Sequence, residues 1–447
     1  MKRLQLRLRQ LTREFWFVPA VMTLIALVLA ELGIKAEERY GIPDGLKWVY
    51  TGGESGARSV LGAIASSAIG VAGTVFSITI AALSYAAGSM GPRLLDNFTR
   101  DRGNQLVLGT FIATFAFTLY TLRSVQGGDP SPFVPHYNVT FGLLLALLSV
   151  AALVYYLAHV TGNINMTTVV NLLRDDLRTA LRRATNSGDT EPAQGPPPPA
   201  AFWEHGQPLR APTSGYLQLV DTEMLIHLAT EEDTAIHLHV RAGDYVFPNA
   251  VIATAVPTLP GGIMDALTLG DKRVEGQDLE YSVRQMAEVA ARALSPGVND
   301  PVTAIDVIDR FGDALCSLHD RRWPEGVHYV DHQLRLVAPT TDFGGLTDTM
   351  FHMIRQYGAD SPAVAVRLLE VLRTVASCMH DPERHAHLRR HAALVHEDAL
   401  RAVSNSGDRS DITARYAAFL AEVDSHDETD PDHQRDRRRD TRPADAR

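Results

Sequence analysis

The chain has 447 residues, which is enough for two or three domains, and a formal net charge of −10. This charge gives no reason to expect a nucleic acid as a partner. The two cysteines, Cys316 and Cys378, lie far apart and form no metal-ligand spacing, so we expect them to be buried thiols.

Four long apolar segments occupy the first third of the chain. They run from Phe15 to Ala30 (to Ile34 if Glu31 is included), from Ser59 to Gly91, from Gly103 to Leu122 and from Val139 to Val160. A helix needs about 20 apolar residues to cross a bilayer. We therefore predict an α-helical multipass domain of four transmembrane helices. Because three more spans follow the first one, it is not expected to be a cleaved signal peptide.

Basic residues mark the side of the membrane on which each loop lies. They precede the first span, lie between spans two and three, and follow span four: Lys2, Arg3, Arg7, Arg9, Arg13, Arg93, Arg100, Arg102, Arg174 and Arg178. Loops rich in lysine and arginine stay in the cytoplasm. We predict a protein of the inner (plasma) membrane, in contact with the lipid bilayer, with both termini in the cytoplasm.

The second span carries a stripe of small side chains at steps of three or four residues. The stripe comprises Ser66, Gly70, Gly73, Ser77, Ala81, Ser84 and Gly88. This spacing places them on one helical face. Such a face packs closely against another helix, or it lines a pore with hydroxyls and exposed backbone. The sequence leaves both interpretations open, and both are compatible with a homo-oligomer.

The remainder of the chain is predicted to be a cytoplasmic α+β region. A helix continues inward from the fourth span, and the four prolines in "NSGDTEPAQGPPPPA" indicate an extended linker. The segments "SGYLQLV", "TAIHLHV" and "YVFPNAVIATA" predict three strands. The run "GDYVFPNAVIA" is similar to the hairpin of barrel-sandwich domains, but residues 209–256 contain no lysine to carry a prosthetic group. We therefore predict no cofactor.

Amphipathic periodicity predicts helices over most of the later residues, and "HYVDHQLRLVAP" predicts one strand. The last twenty or so residues lack apolar side chains and are predicted to be disordered. The predicted parts are a transmembrane domain (1–165), an inward helix with the Pro-rich linker (166–208), a small barrel-sandwich-like β unit (209–258), a mainly helical domain (259–424) and a tail (425–447).

The stretch "ARALSPGVNDPVT" is predicted to be a corner between two helices. Gly297 suits the left-handed residue that ends the first helix, and Asp300 suits the N-cap of the second. A second interpretation is an anion or interface site, in which a capped helix start meets the arginines of the preceding helix. Its residues would be Arg284, Arg292, Asn299 and Asp300. We expect the corner to be mainly architectural.

No constellation in the chain indicates catalysis, so no enzymatic activity is expected. His387 and His391 are four residues apart on a predicted helix, a spacing that can bind a metal. The neighbouring arginines would repel a cation, however, and no acid lies between the two histidines. We therefore predict a solvated polar face and no metal site.

Three stretches taken together indicate a family. They are "GTVFSITIAALSYAAGSMGPRLLDNFTRDRGNQLVLGTF", "SGYLQLVD" and "ALSPGVNDPVTA". With them, the chain from about residue 10 to 405 resembles an uncharacterised bacterial family of predicted membrane proteins, domain of unknown function 2254. The resemblance implies a multipass membrane half and a cytoplasmic half, and no mechanism. We interpret the protein as an oligomeric ion channel or transporter with a regulatory domain; the alternative is a membrane-anchored sensor or scaffold that transports nothing.

Overall fold

A computed structural model describes residues 14–40, 49–90, 101–127, 133–163, 166–187, 196–274 and 276–429. The chain forms two compact units, Met1–Thr168 and Val169–Arg447, which we call the N-terminal and C-terminal units.

Four long helices form the described part of the N-terminal unit. They are α1 (Phe17–Tyr40), α2 (Glu54–Met90), α3 (Arg102–Ser124) and α4 (His136–Asn163). By length and composition, all four are able to cross a membrane. The prediction of four apolar helices is therefore confirmed. Many of the basic residues behind the predicted orientation belong to residues 1–13 and 91–100, which lie outside the described residues.

Helix α3 is the central helix of this unit. It contacts each of the other three helices, and 56% of its most apolar stretch is buried, against 17–22% in α1, α2 and α4. Its buried aromatic rings, Phe111 and Phe117, pack into two clusters with alanine and valine from the neighbouring helices. The other three helices therefore expose most of their apolar surface.

Polar contacts lie near the two ends of this helical bundle. The Glu37 carboxylate accepts hydrogen bonds from the amides of His136 and Tyr137, at 2.9 and 3.0 Å. These amides belong to the first turn of α4 and have no partner within their own helix. Asp101 caps α3 and lies 2.6 Å from His159 near the end of α4. Carboxylates thus accept hydrogen bonds from first-turn amides of α3 and α4.

The C-terminal unit contains ten short strands, eight α-helices and two short 3₁₀ helices (Ala200–Trp203 and Ile263–Ala266) among its described residues. The strands are β1 (Asn186–Ser187), β2 (Gln207–Arg210), β3 (Gly215–Val220), β4 (Ala235–Leu238), β5 (Tyr245–Val246), β6 (Val251–Val256), β7 (Leu267–Gly270), β8 (Arg321–Arg322), β9 (Val327–Val330) and β10 (Gln333–Val337). The helices are α5 (Met166–Ala184, which enters the unit after its first turn), α6 (Thr222–Glu231), α7 (Leu279–Ala293), α8 (Pro301–Cys316), α9 (Phe343–Tyr357), α10 (Pro362–Ser377), α11 (Pro382–Ala402) and α12 (Ser406–Thr429).

Two larger sheets share one hydrophobic core. The five-stranded sheet has the order β2-β6-β4-β10-β9, in which β4 and β10 run parallel, and the three-stranded sheet has the order β5-β3-β7. Leu217, Leu225, Ile252 and Leu336 meet in the core between the sheets and α6. Strands β7 and β10 both lie beyond residue 258, so the predicted boundary there runs through both sheets. Strands β5 and β6 belong to different sheets and do not form the expected barrel-sandwich hairpin.

The single strand predicted for "HYVDHQLRLVAP" is wrong, because this segment folds as the hairpin β9–β10. Asp331 and His332 form its turn, with φ angles of 51° and 61°. Two successive residues with positive φ are typical of a two-residue hairpin turn whose twist matches that of the strands. The chain therefore reverses direction at this polar pair, within the predicted strand.

The predicted amphipathic helices are confirmed as α7 to α12, with ends shifted by a few residues. Each is stabilised by an apolar face packed against its neighbours, as α9 packs on α7 and α11. Helix α6, which lies between the predicted strands "SGYLQLV" and "TAIHLHV", was not predicted. Helix α12 continues to Thr429, five residues into the tail predicted to be disordered. Residues 430–447 lie outside the described residues.

Candidate functional site

All seven residues of the small-residue stripe lie on the exposed face of α2. The buried face of the same helix consists of Ala57, Leu61, Ala65, Ala68, Ala72 and Val75. At 3.6 residues per turn, these two sets lie on opposite sides of the helix. Within the described residues, the stripe therefore does not pack against another helix of its own chain. The exposed stripe is compatible with packing against a second copy and with lining a pore.

The exposed face has space for another surface. A Cβ atom placed on Gly70, Gly73 or Gly88 would meet no atom within 4 Å. The Ser77 hydroxyl donates to the Gly73 carbonyl at 2.9 Å, and the Thr74 hydroxyl donates to the Gly70 carbonyl at 3.2 Å. In such bonds the hydroxyl proton is donated within the helix, and the lone pairs of the hydroxyl oxygen face outward. This arrangement suits an apolar interface as well as a polar path.

The corner between α7 and α8 is closed by its own hydrogen bonds. The amides of Val302 and Thr303 both donate to Asp300 Oδ1 at 3.1 Å, and the Thr303 hydroxyl donates to Oδ2 at 2.6 Å. The predicted cap is therefore confirmed. The left-handed residue is Asn299, with φ of 49°, and the prediction of Gly297 is wrong. Asparagine tolerates this conformation better than most residues with a side chain.

The two arginines of the predicted anion site do not converge on the corner. Arg284 donates to Glu280 at 2.8 Å and Arg292 to Glu288 at 3.4 Å, each along α7. Eight residues of helix separate the two arginines by about 12 Å. The Asp300 carboxylate is already occupied as the cap and would repel an anion. Asn299 and Asp300 thus form the turn itself, and each arginine pairs with a glutamate one turn earlier on α7.

A buried charged cluster at the start of α7 was missed from the sequence. Glu280 accepts hydrogen bonds from Arg241 and Arg284, while Asp278 caps α7 and pairs with Arg273 at 2.6 Å. Burial raises the pKa of the Asp278 carboxyl above its usual range, although Arg273 acts against this. The N-cap position of Asp278 is readable in the sequence. No sequence signal places Arg241, from the loop after β4, beside Glu280.

The prediction of a solvated polar face on α11 is wrong for His391, which is buried, and the neighbouring His385 is buried as well. Helix α11 turns this face towards α9 and α10, and the His391 ring packs on Phe351 with centroids 5.6 Å apart. Burial is the main cause that lowers the pKa of His391 to about 3, helped by nearby Arg390. His391 is therefore a neutral imidazole at physiological pH. The His387 ring lies beside that of Phe343, with centroids 6.4 Å apart.

The two cysteines, distant in sequence, are neighbours in the fold. Cys316 ends α8 and its Sγ lies 3.9 Å from the Thr374 carbonyl, which also accepts the Cys378 amide at 3.3 Å. Both side chains are half-buried. Burial, together with the adjacent Cys378 thiol, raises the pKa of Cys316 to about 12.

Alkylation of Cys316 is therefore expected to be slow. Only the thiolate is nucleophilic, so at pH 8 the rate should be on the order of 10³-fold below that of a free cysteine thiol. Timed iodoacetamide labelling of the native protein, quantified on the Cys316 peptide by mass spectrometry, measures this. The Cys378→Ala variant should label faster at Cys316, because one cause of the shift is removed. Labelling of native Cys316 at the rate of a free thiol would contradict the burial described above.

Comparison with known proteins identifies the family. Residues 12–374 match the family described as "Predicted membrane protein (DUF2254)". The chain belongs to this family. Two similar proteins are the uncharacterised proteins Mb1321c of Mycobacterium bovis and Rv1290c of Mycobacterium tuberculosis. Each is 33% identical over 381 residues, covering 81% of this chain and 72% of its own.

No solved structure matches the chain. The DUF2254 match includes the stripe on α2 and the corner between α7 and α8, and it ends within α10. His391 on α11 lies beyond it. The chain is thus a predicted membrane protein of a family whose name states no activity.

Proposed function

We propose that this DUF2254 protein is a homo-oligomer of the inner membrane whose copies meet along α2 and enclose a path for ions or small solutes. The C-terminal unit would regulate this path from the cytoplasm. The proposal assigns the protein no enzymatic activity.

One observation carries the proposal: the whole small-residue stripe is exposed on a helix whose opposite face is buried. In a membrane, helices associate where small residues allow close contact of their backbones. The stripe offers this contact, and within the described residues no other helix of the chain packs against it. A path along the stripe would need further copies to enclose it, because the stripe lies on the outside of the described bundle.

The outward faces of two other spans differ from the stripe and suit lipid. Helix α1 exposes large aliphatic side chains, and so does α4: Leu24, Ile25, Val28, Leu29 and Leu32 on α1, and Leu144, Leu147, Leu148, Val150, Val154 and Leu157 on α4. These side chains fill the space beside acyl chains. The stripe of α2 would leave grooves there, which supports contact with protein or water at that face.

The proposed orientation has both termini in the cytoplasm, as the basic residues predict. In a background with Cys316→Ala and Cys378→Ala, a membrane-impermeant maleimide should label Thr51→Cys in intact spheroplasts. It should label the exposed Val302→Cys only after permeabilisation. The reverse pattern would overturn the orientation.

Oxidative cross-linking in native membranes tests the interface. In the same background, copper phenanthroline should join copies carrying Ser77→Cys, which lies on the stripe, into a dimer band on a non-reducing gel. Leu147→Cys, on the lipid-like face of α4, is the matched control and should remain monomeric. Equal cross-linking of the two variants would reflect random collision and would contradict a specific α2 interface.

Flux through proteoliposomes separates the proposal from the scaffold alternative. The purified oligomer should pass ions or small solutes, and Ser77→Leu should reduce the flux because its isobutyl group fills the path. Leu147→Ala should leave the flux unchanged. If Ser77→Cys cross-links but no flux is measurable, the interface stands and the protein is a membrane scaffold or sensor.

A further inference from the structure

Three side chains with metal-binding atoms meet between α9 and α11. Asp348 and His352 lie one turn apart on α9, and His391 reaches them from α11. Their ligand atoms all lie within 4.8 Å of one another. No sequence pattern joins them, because 39 positions separate His352 from His391.

The spacing of these atoms matches the edges of a coordination shell. Asp348 Oδ1 lies 2.9 Å from His391 Nε2 and 3.3 Å from His352 Nε2. Two ligands that bind one ion through bonds of about 2.0–2.2 Å lie roughly 3 Å apart. Small rotations of the half-exposed Asp348 and His352 side chains would therefore admit an ion.

The third member of the cluster is held firmly. The His391 side chain is fully buried and packs on Phe351, and its centroid lies 5.1 Å from that of His352. Its Nδ1 atom has no hydrogen-bond partner among the described residues. A buried imidazole in the neutral form is the form that binds metals. On binding through Nε2, the single ring proton resides on Nδ1.

Arg390 is the competitor for this site. Its guanidinium donates to the same Asp348 Oδ1 atom, and its side chain is 45% exposed, so it is able to leave towards solvent. The second nearby arginine, Arg355, is paired with Asp398, and its guanidinium lies 3.4 Å from His352 Nδ1, which is not the ring nitrogen that faces Asp348. A cation at the cluster would thus replace one positive group on the carboxylate rather than add to it.

We propose that Asp348, His352 and His391 bind a divalent first-row transition-metal ion in exchange for Arg390. Two imidazole nitrogens and one carboxylate oxygen select Zn²⁺, Fe²⁺ or Co²⁺ over Mg²⁺ and Ca²⁺, which prefer oxygen. The partly exposed side of Asp348 and His352 would supply water as the remaining ligands. The site joins α9 to α11 in the C-terminal unit and is independent of the proposed path along α2.

Calorimetry on the tag-free, EDTA-treated full-length protein in detergent tests the proposal. Zn²⁺ should bind once per chain at this site, and Mg²⁺ should not bind there. Asp348→Asn and His352→Gln should each weaken the Zn²⁺ affinity by at least about tenfold. His396→Gln, on the same helix α11 but stacked on Tyr416 outside the cluster, is the matched control and should bind as the native protein does. This control matters because the chain has 17 histidines.

A variant that keeps all three ligands guards against effects of misfolding. Arg390→Gln removes the competing guanidinium and should tighten Zn²⁺ binding. Co²⁺ added to the Arg390→Gln variant should give visible absorption, and Co²⁺ added to His352→Gln should not. Binding that is equally strong in Asp348→Asn, or Arg390→Gln binding no tighter than the native protein, would overturn the proposal. So would native protein that binds no Zn²⁺ at micromolar concentrations.

Discussion

Replacing Phe351 with alanine is expected to lower the free energy of unfolding of the C-terminal unit by about 3–5 kcal/mol. The Phe351 ring is fully buried between α9 and its neighbours, and it meets the Phe311 ring edge-on with centroids 6.2 Å apart. Truncation removes this contact and leaves a cavity in a packed interior. A unit of this size loses roughly 2–4 °C per kcal/mol, so its thermal midpoint should fall by about 10 °C.

The measurement is thermal unfolding of the full-length protein in detergent, followed by tryptophan fluorescence. Tyr357→Ala is the matched control, because Tyr357 is an aromatic residue on the same helix with 52% of its surface exposed. It should change the free energy of unfolding by less than about 0.5 kcal/mol. Similar losses in both variants would contradict the packing described for α9.

Replacing Arg384 with methionine is expected to lower the free energy of unfolding of the C-terminal unit by about 3 kcal/mol, which is a mid-range value for breaking a buried hydrogen-bond network. The side chain is buried, and its guanidinium donates to the carbonyls of Leu318 and Arg321 at 2.8 and 2.6 Å. It also lies over the Phe343 ring at 5.6 Å. Methionine keeps much of the volume but leaves these carbonyls without their donors. The loss should appear in the same unfolding experiment.

Arg401→Met is the comparison for this change. Arg401 lies on the same helix, pairs with Glu397 at 2.6 Å and is 68% exposed. An exposed ion pair contributes at most about 1 kcal/mol. Arg384→Lys should recover little stability, because an ammonium group does not reproduce the planar fork of donors. Full rescue by lysine would show that charge alone stabilises this position.

The predictions that succeeded rest on strong periodicity. Four apolar runs and a series of amphipathic runs each bury one face or stripe, so their helices were readable from the sequence alone. This cap was readable too: Asp300 marks the start of α8 as expected. In these cases, local chemistry and global packing require the same structure.

The predictions that failed depend on contacts between distant residues. The parallel pairing of β4 with β10 leaves no local trace, and the turn at Asp331-His332 is too short to interrupt a strand pattern clearly. Polar side chains on the predicted helices were assigned to solvent-exposed faces, because the buried face of a helix is predicted from the spacing of its apolar residues. Burial of His391 follows only from the packing of α11 on α9.

For the candidate site, the sequence identified the stripe but not its surroundings. Spacing placed Ser77 and its companions on one face correctly. The buried face of α2 is lined by alanines such as Ala65 and Ala72. Because alanine is also a small residue, spacing alone does not show which of the two faces is buried. The distinction appears only when α3 and α4 occupy one side of the helix.

The order of strands in the five-stranded sheet has a consequence for synthesis on the ribosome. Strand β4 ends at residue 238 and its parallel partner β10 begins at residue 333, so 94 residues lie between them. At a translation rate of about 5–20 residues per second, the edge of β4 that pairs with β10 has no hydrogen-bonding partner for roughly 5–20 s. An open strand edge of this kind readily pairs with another chain. Polysomes that carry several nascent copies close together would therefore be the place where this protein is most prone to mispairing.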